Sequence, residues 1–114
     1  MKCLVTGILA VCASVAGAEG FVCEGTSPSW TLDLDITAET GRFIFPAVTT
    51  MDLMLETRPE GQDWPRAFTL VGARDTAIVL IETEACEAAP FRAHVFTQRG
   101  QSPILLGGCC QARP

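Results

Sequence analysis

WTLDLDIT, residues 30–37, decides the fold. Its apolar members, Trp30, Leu32, Leu34 and Ile36, fall on every second position, and Thr31, Asp33, Asp35 and Thr37 lie between them. On a helix, residues two apart are turned far from one another, so the four apolar side chains would scatter around its circumference. On a strand they line one face, with both aspartates on the other. The stretch is a half-buried strand laid against a core.

The same period recurs outward in both directions. Phe21–Gly25 is a short strand before the turn Thr26-Ser27-Pro28-Ser29. Arg42–Ala47 follows Thr40-Gly41, and Pro46 places its end at an edge or bulge. Thr50–Thr57 alternates Met51, Leu53 and Leu55 against Asp52, Met54 and Glu56. Residues Arg58–Asp63 form the most exposed loop, and Ala67–Gly72 and Thr76–Thr83 flank a turn near Ala73-Arg74-Asp75. Thr83–Ala89, rich in Glu and Ala, suits a single helical turn. Phe91–Thr97 and Pro103–Cys110 close the series around the connection Gln98-Arg99-Gly100-Gln101. About eight short strands at roughly regular spacing, without a sustained helical pattern, predict an all-β fold. The expected architecture is a small antiparallel β-barrel, because closure removes the exposed edges of such strands.

The N-terminus reads differently. Lys2 is followed by an uncharged stretch from Cys3 to Ala18 that ends on the small-x-small pattern Ala16-Gly17-Ala18. This is the layout of a secretory signal peptide, and the apolar run is short for a membrane span. Residues 1–18 are therefore expected to leave, with residues 19–114 forming a single domain of periplasmic or secreted location. Leu9-Ala10-Val11-Cys12 loosely resembles a lipobox, but Val11 is bulky where that motif takes a small residue. The only lysine departs with the leader, leaving seven Arg against thirteen Asp plus Glu. An acidic surface with scattered arginines and no basic run argues against nucleic acid and anionic lipid as partners.

Four cysteines remain after that cut: Cys23, Cys86, Cys109 and Cys110. An even number in an exported chain of this size points to a disulfide framework. Cys109 and Cys110 are adjacent, and neighbouring Cα atoms lie only about 3.8 Å apart, below the usual disulfide span. On a strand their side chains also point to opposite faces. Each is expected to take a different partner, Cys23 for one and Cys86 for the other. Both assignments of those two pairs are compatible with the sequence.

Other chemistry has weaker support. A redox pair would normally show C-x-x-C at a helix N-terminus. Cys86, Cys109, Cys110 and His94 are zinc-type donors, yet lack the paired spacing of a zinc site. A thiol-redox or metal-binding role for this cluster is the alternative from another functional class. Ser27, Ser29 and Ser102 lie in turns beside proline, and no nucleophile–base arrangement can be read around His94, so no catalytic residue and no cofactor are expected. Asp33 and Asp35 share a solvent face, and Trp30 shares the apolar stripe and belongs to the core. Trp64 in Gly61-Gln62-Asp63-Trp64-Pro65 fits no apolar stripe. Trp64 and Asp63, with Asp33 and Asp35, are the expected partner contacts.

Gly25-Thr26-Ser27-Pro28-Ser29-Trp30 resembles the G-[NT]-x-P-x-W signature of a group of small bacterial cell-envelope proteins. Members are similar in placing a cysteine before the signature, another in mid-chain, and G-C-C or G-C-x near the end; Cys23, Cys86 and Gly108-Cys109-Cys110 follow that order. Glu87-Ala88-Ala89-Pro90-Phe91 departs from the group's longer turn after the mid-chain cysteine. More distantly the chain resembles envelope β-barrels, namely the membrane-bound inhibitors of C-type lysozyme and the META-domain proteins. That resemblance implies a lysozyme-inhibitor-like role as a further alternative, although the lysine those inhibitors insert has no counterpart here. The expected function is a non-enzymatic, exported module that binds another protein or a component of the cell envelope.

Overall fold

The computed structural model describes residues 4–6, 9–11 and 19–114. Near the N-terminus, β1 (Leu4–Thr6) pairs antiparallel with β2 (Leu9–Val11). The expected cleavage point after Ala18, and Cys12 with it, lie outside the described residues. The remaining strands are β3 (Gly20–Thr26), β4 (Ser29–Asp35), β5 (Thr40–Ile44), β6 (Val48–Thr57), β7 (Arg66–Val71), β8 (Thr76–Glu82), β9 (Phe91–Arg99) and β10 (Ser102–Ala112). They form a closed antiparallel barrel in the order β10-β3-β4-β5-β6-β7-β8-β9. Every strand but the last is thus followed by its own neighbour, and closure comes from β10 returning to β3. The short connections 27–28, 45–47, 72–75 and 100–101 gather at one end. Loops 36–39, 58–65 and 83–90 gather at the other, together with the start of β3 and the end of β10.

Alternation places the core as the sequence requires. Trp30, Leu32 and Leu34 are buried on β4, Phe68 and Leu70 on β7, Val79 and Ile81 on β8, and Ala93 and Val95 on β9. Burying side chains of this size contributes about 1.5–3 kcal/mol each, before the entropy of ordering them is subtracted. Among the described residues no buried side-chain polar atom lacks a partner.

Two local features depart from the alternation. The pairing of β6 with β7 shifts register between Leu53 and Leu55, so Met54 is the extra residue of a β-bulge. Beyond it the faces exchange: Leu55 turns outward, and Glu56, opposite the buried Phe68, turns inward. The expected stripe Met51–Leu53–Leu55 is therefore correct only as far as Leu53. Nor does Thr83–Ala89 form a helical turn. Cys86 and Ala89 exchange backbone hydrogen bonds of 2.9 and 2.8 Å, closing a tight turn with Glu87 at φ 55°.

The cysteines form the framework anticipated from strand geometry. Cys23 and Cys110 face each other across β3 and β10 and are bonded inside the barrel, with Cα atoms 4.0 Å apart. Cys109 faces outward and is bonded to Cys86, which draws the 83–90 loop over the outside of β10. The last strand is thus held from both faces.

Trp30 explains the sequence around it. Its indole lies across the barrel interior over Gly25 and Gly108, and its Nε1 donates to Gly107 O at 3.1 Å. A methyl group on Gly108 would come within 2.6 Å of Trp30 Cζ2, and one on Gly25 would collide with Nε1. The glycines are needed because a wide ring takes the interior space of three adjacent strands. The G-x-x-P-x-W segment and the terminal glycines are halves of one packing unit.

Candidate functional site

The most chemically distinctive part of the barrel is the end that holds the longer loops. The bulge at Met54 turns the Glu56 carboxylate inward, and Arg66, the first residue of β7, faces inward opposite Ile81. The two meet as a fork: Arg66 Nε donates to Glu56 Oε2 at 2.8 Å and Arg66 Nη2 to Oε1 at 3.1 Å. Arg58, in the following loop, donates to the same Oε2. The Arg66 hydrogen bonds hold the Glu56 carboxyl below the usual carboxylate range, against the opposing effect of burial.

Aromatic rings surround this pair. The Arg66 guanidinium lies 5.1 Å from the centroid of Phe68, 5.3 Å from Trp64 and 5.5 Å from Phe21, within cation–π range of all three. Trp64 stacks on Phe91 at 5.3 Å with an interplanar angle of 25°, and Phe21 meets Phe91 edge-on at 5.2 Å. Only 11% of the Arg66 side chain is exposed, so a charged group is held in a largely apolar mouth by one bidentate carboxylate and three ring faces.

A cleft of about 320 Å³ opens above this cluster, lined by Phe21, Trp64, Arg66, Phe91, Glu19 and Arg113 among others. Trp64 also forms the wall of a second cleft, shared with Pro65 and the acidic edge Glu82–Glu84. On the rim, Arg113 Nε donates to Asp33 at 2.6 Å, and its Nη1 lies 3.4 Å from Asp35. The mouth therefore combines ring faces, two guanidinium groups and peripheral carboxylates. Such a surface suits an apolar side chain flanked by polar groups, as a protein segment would present.

The residues singled out from sequence are placed as follows. Trp64 is half-buried against the core rather than freely exposed, with one ring face on Phe91 and another part of its surface in the cleft. Asp33 and Asp35 lie side by side on the outer face of β4, joined to that cleft through Arg113. Asp63 projects from the loop with its side chain 87% exposed, 3.7 Å from Arg58. Arg66, Glu56 and Phe91 went unnoticed in the sequence. Glu56 reads as an outward residue until the bulge is known, and the alternation of β7 and β9 does not show that Arg66 and Phe91 share a mouth with the 58–65 loop.

At the other corner, Cys86, Cys109 and Cys110 are all in disulfides, and no free cysteine occurs among the described residues. The Cys86 sulfur lies 3.4 Å from Gly108 O, a packing contact because a disulfide sulfur carries no proton. His94 faces outward between Leu80 and Gly107, while Cys109 is opposite Arg92. Among the described residues no group of three or more His, Cys, Asp or Glu side chains converges as a metal site would require.

Compared with family models, curated proteins and solved structures, the chain matches none.

Proposed function

We propose that this protein is an exported, non-enzymatic β-barrel of the bacterial cell envelope that binds a partner protein or envelope component through its Trp64 end. The observation that carries this reading is the mouth itself: Trp64, Phe91 and Phe21 gathered around Arg66, beneath an open cleft. Large aromatic rings and arginine are the residue types that dominate binding hot spots. A rigid barrel held by two disulfides presents them with little ordering cost. The disulfides also favour an oxidising compartment, in keeping with the leader-like N-terminus and with the G-x-x-P-x-W and G-C-C resemblance to small envelope proteins.

The test has two stages. Protein exported to a bacterial periplasm should begin at Glu19, carry no free thiol, and give peptides linked Cys23–Cys110 and Cys86–Cys109. A photo-cross-linking residue placed at Gln62, at the exposed edge of the Trp64 loop, should then form a discrete adduct in the envelope. The adduct should be lost in Trp64→Ala while far-UV circular dichroism is unchanged. An adduct that persists undiminished in Trp64→Ala, or that forms only from the opposite end of the barrel, would remove this mouth as the contact.

A further inference from the structure

The two ends of the barrel differ in charge. In the short connections the only acidic residue is Asp75, and it stands next to Arg74, with Arg99 ending β9 on the same side. The Trp64 end carries Glu19 at the entry to β3, Glu39, Glu60 and Asp63 in its loops, and Glu82 and Glu84 where β8 gives way to its loop. Three of these line the cavities beside Trp64. Glu19 is a wall of the 320 Å³ cleft with Phe21 and Phe91, and Glu82 and Glu84 are walls of the second, of about 240 Å³. The arginines of this end are already committed. Arg58 and Arg66 share Glu56, and Arg58 also lies 3.7 Å from Asp63. Arg92 is paired with Glu84 at 3.1 Å, and Arg113 with Asp33 at 2.6 Å and Asp35 at 3.4 Å. Among the described residues Glu19, Glu39, Glu60 and Glu82 have no arginine within salt-bridge distance.

We infer that the Trp64 mouth takes a basic segment of a partner protein, one apolar side chain entering the cleft with lysine or arginine on either side of it. The inference rests on the reading of this mouth as the contact and adds the chemistry of what it contacts. Three features select the occupant. First, a cleft of about 320 Å³ is at the small end of ligand sites, and its ring walls Phe21, Trp64 and Phe91 suit a single apolar side chain. Second, the carboxylates stand on both sides of that anchor, Glu19 in one Trp64 cleft and Glu82 with Glu84 in the other. An aromatic ring bordered by carboxylates holds a lysine or arginine by its two halves, the apolar stem on the ring and the charged head at the acid. Third, the existing ion pairs discriminate between signs of charge. An incoming anion would have to displace a carboxylate from one of the four arginines and would meet the unpaired glutamates, whereas a cation does neither. The acidity of the whole mature chain draws the same partner from a distance.

Three capped peptides test the inference in amide nuclear magnetic resonance titrations of the exported, oxidised protein at low salt: Lys-Lys-Phe-Lys-Lys, its acidic counterpart Glu-Glu-Phe-Glu-Glu, and Lys-Lys-Gly-Lys-Lys without the apolar residue. The first should shift the Trp64 indole N–H and the backbone amides around Trp64 and Glu82–Glu84, saturating with a Kd on the order of 100 µM. Lys-Lys-Gly-Lys-Lys should bind at least about fivefold more weakly, and Glu-Glu-Phe-Glu-Glu should cause no saturable shift. Raising salt to about 0.3 M should weaken the basic peptide several-fold. Glu82→Lys should weaken it about fivefold, while Asp75→Lys, the same change of net charge at the other end, should alter it less than about twofold. Trp64→Ala should weaken it at least about tenfold. Each variant should retain the dispersed amide spectrum and disulfide content of wild type. The possible failures are distinguishable. If the acidic peptide moves the same resonances as tightly, the mouth stands as a contact and the inferred chemistry is overturned. Equal binding of Lys-Lys-Gly-Lys-Lys, or equal losses from Glu82→Lys and Asp75→Lys, reduces the effect to overall charge and overturns it too. Shifts confined to amides away from Trp64, basic-peptide binding undiminished in Trp64→Ala, or no shift with any peptide would overturn both the inference and the reading of the mouth beneath it.

Discussion

The adjacent glycines 107 and 108 make opposite predictions from one strand. Gly107 points outward, and a Cβ built there meets nothing within 4 Å. Gly108 points inward, where a Cβ would sit 2.6 Å from Trp30 Cζ2, would be 2.8 Å from the carbonyl carbon of Glu24, and would overlap the Glu24 oxygen. Comfortable carbon–carbon contact is about 3.5–4.0 Å, so the shortfall is about 1 Å in two directions at once. Neither neighbour is free to retreat. Trp30 is tied to Gly107 O and packed on Phe43, and Glu24 is paired with Cys109 beside the Cys23–Cys110 bridge. Overpacking costs about 1–3 kcal/mol, and a site with backbone on one side belongs near the top of that range. Offsetting this, Gly→Ala restricts the unfolded chain and returns about 0.4–1 kcal/mol. Gly108→Ala should therefore lose about 2 kcal/mol. For a domain of this size that is a fall of about 8–16 °C in Tm. Gly107→Ala should keep only the unfolded-state term and equal or slightly exceed wild type. Thermal unfolding followed by near-UV circular dichroism, without reductant, reads both. In a Trp30→Leu background the Gly108→Ala penalty should shrink by about 1 kcal/mol, because one of its two obstacles is gone. Equal Tm values for the two alanine variants, or additive behaviour with Trp30→Leu, would refute the packing argument.

Glu56→Gln tests the charged pair in the mouth. Its Arg66 hydrogen bonds depress the Glu56 pKa, so the stabilisation is fully present above the unfolded value of roughly 4.3 and is lost as pH falls through the lower folded value. Wild type should exceed Glu56→Gln by about 1–2 kcal/mol at pH 7, in line with a charge-assisted hydrogen bond, with the gap closing toward pH 3. A gap that is constant over that range in urea titrations would contradict it. The disulfides should differ in both energy and reactivity. They span 87 residues for Cys23–Cys110 and 23 for Cys86–Cys109. Loop entropy then assigns about 4.5 and about 3.5 kcal/mol respectively to the Cys→Ala double variants. Cys23 and Cys110 are both fully buried, whereas Cys109 is half-exposed, so limiting reductant should open Cys86–Cys109 first. Mass spectrometry of alkylated peptides showing Cys23 labelled earlier would reverse that order.

The barrel was legible because period-2 alternation is a local property. WTLDLDIT commits its four apolar side chains to one face whatever the rest of the chain does, and the burial of Trp30, Leu32 and Leu34 follows. The division of Cys109 and Cys110 between two partners was legible for the same reason, since consecutive strand residues must diverge. Which cysteine took which partner was not. It depends on the register of β10 against β3, which puts Cys110 opposite Cys23. The bulge at Met54 was equally hidden, because the stretch from Met51 to Glu56 contains no Gly or Pro to mark it. It exists only as a relation between β6 and β7, and with it the inward turn of Glu56.

Trp64 shows what a closed barrel demands of its loops. Closing a sheet removes its edges but leaves two open ends, each exposing apolar interior to water. At the short-turn end, Phe45 covers Phe43, and Arg99 lies 4.1 Å over the Phe45 ring while donating to its backbone oxygen at 2.6 Å. At the other end Trp64 covers Phe21 and Phe91, and Arg66 lies against the rings. Both ends use an aromatic lid with an arginine laid against it, yet only the second has its arginine neutralised by a paired carboxylate, that of Glu56. The difference follows from loop length. Connections such as 100–101 turn tightly at their end, whereas the longer loop 58–65 brings Trp64 over the opposite end and leaves the cleft beside it. A tryptophan that fits no stripe in the sequence is therefore neither ordinary core nor free surface. It is a lid with one face committed to the barrel, and whatever occupies the cleft must bind against a ring whose orientation Phe91 and Arg66 have already fixed.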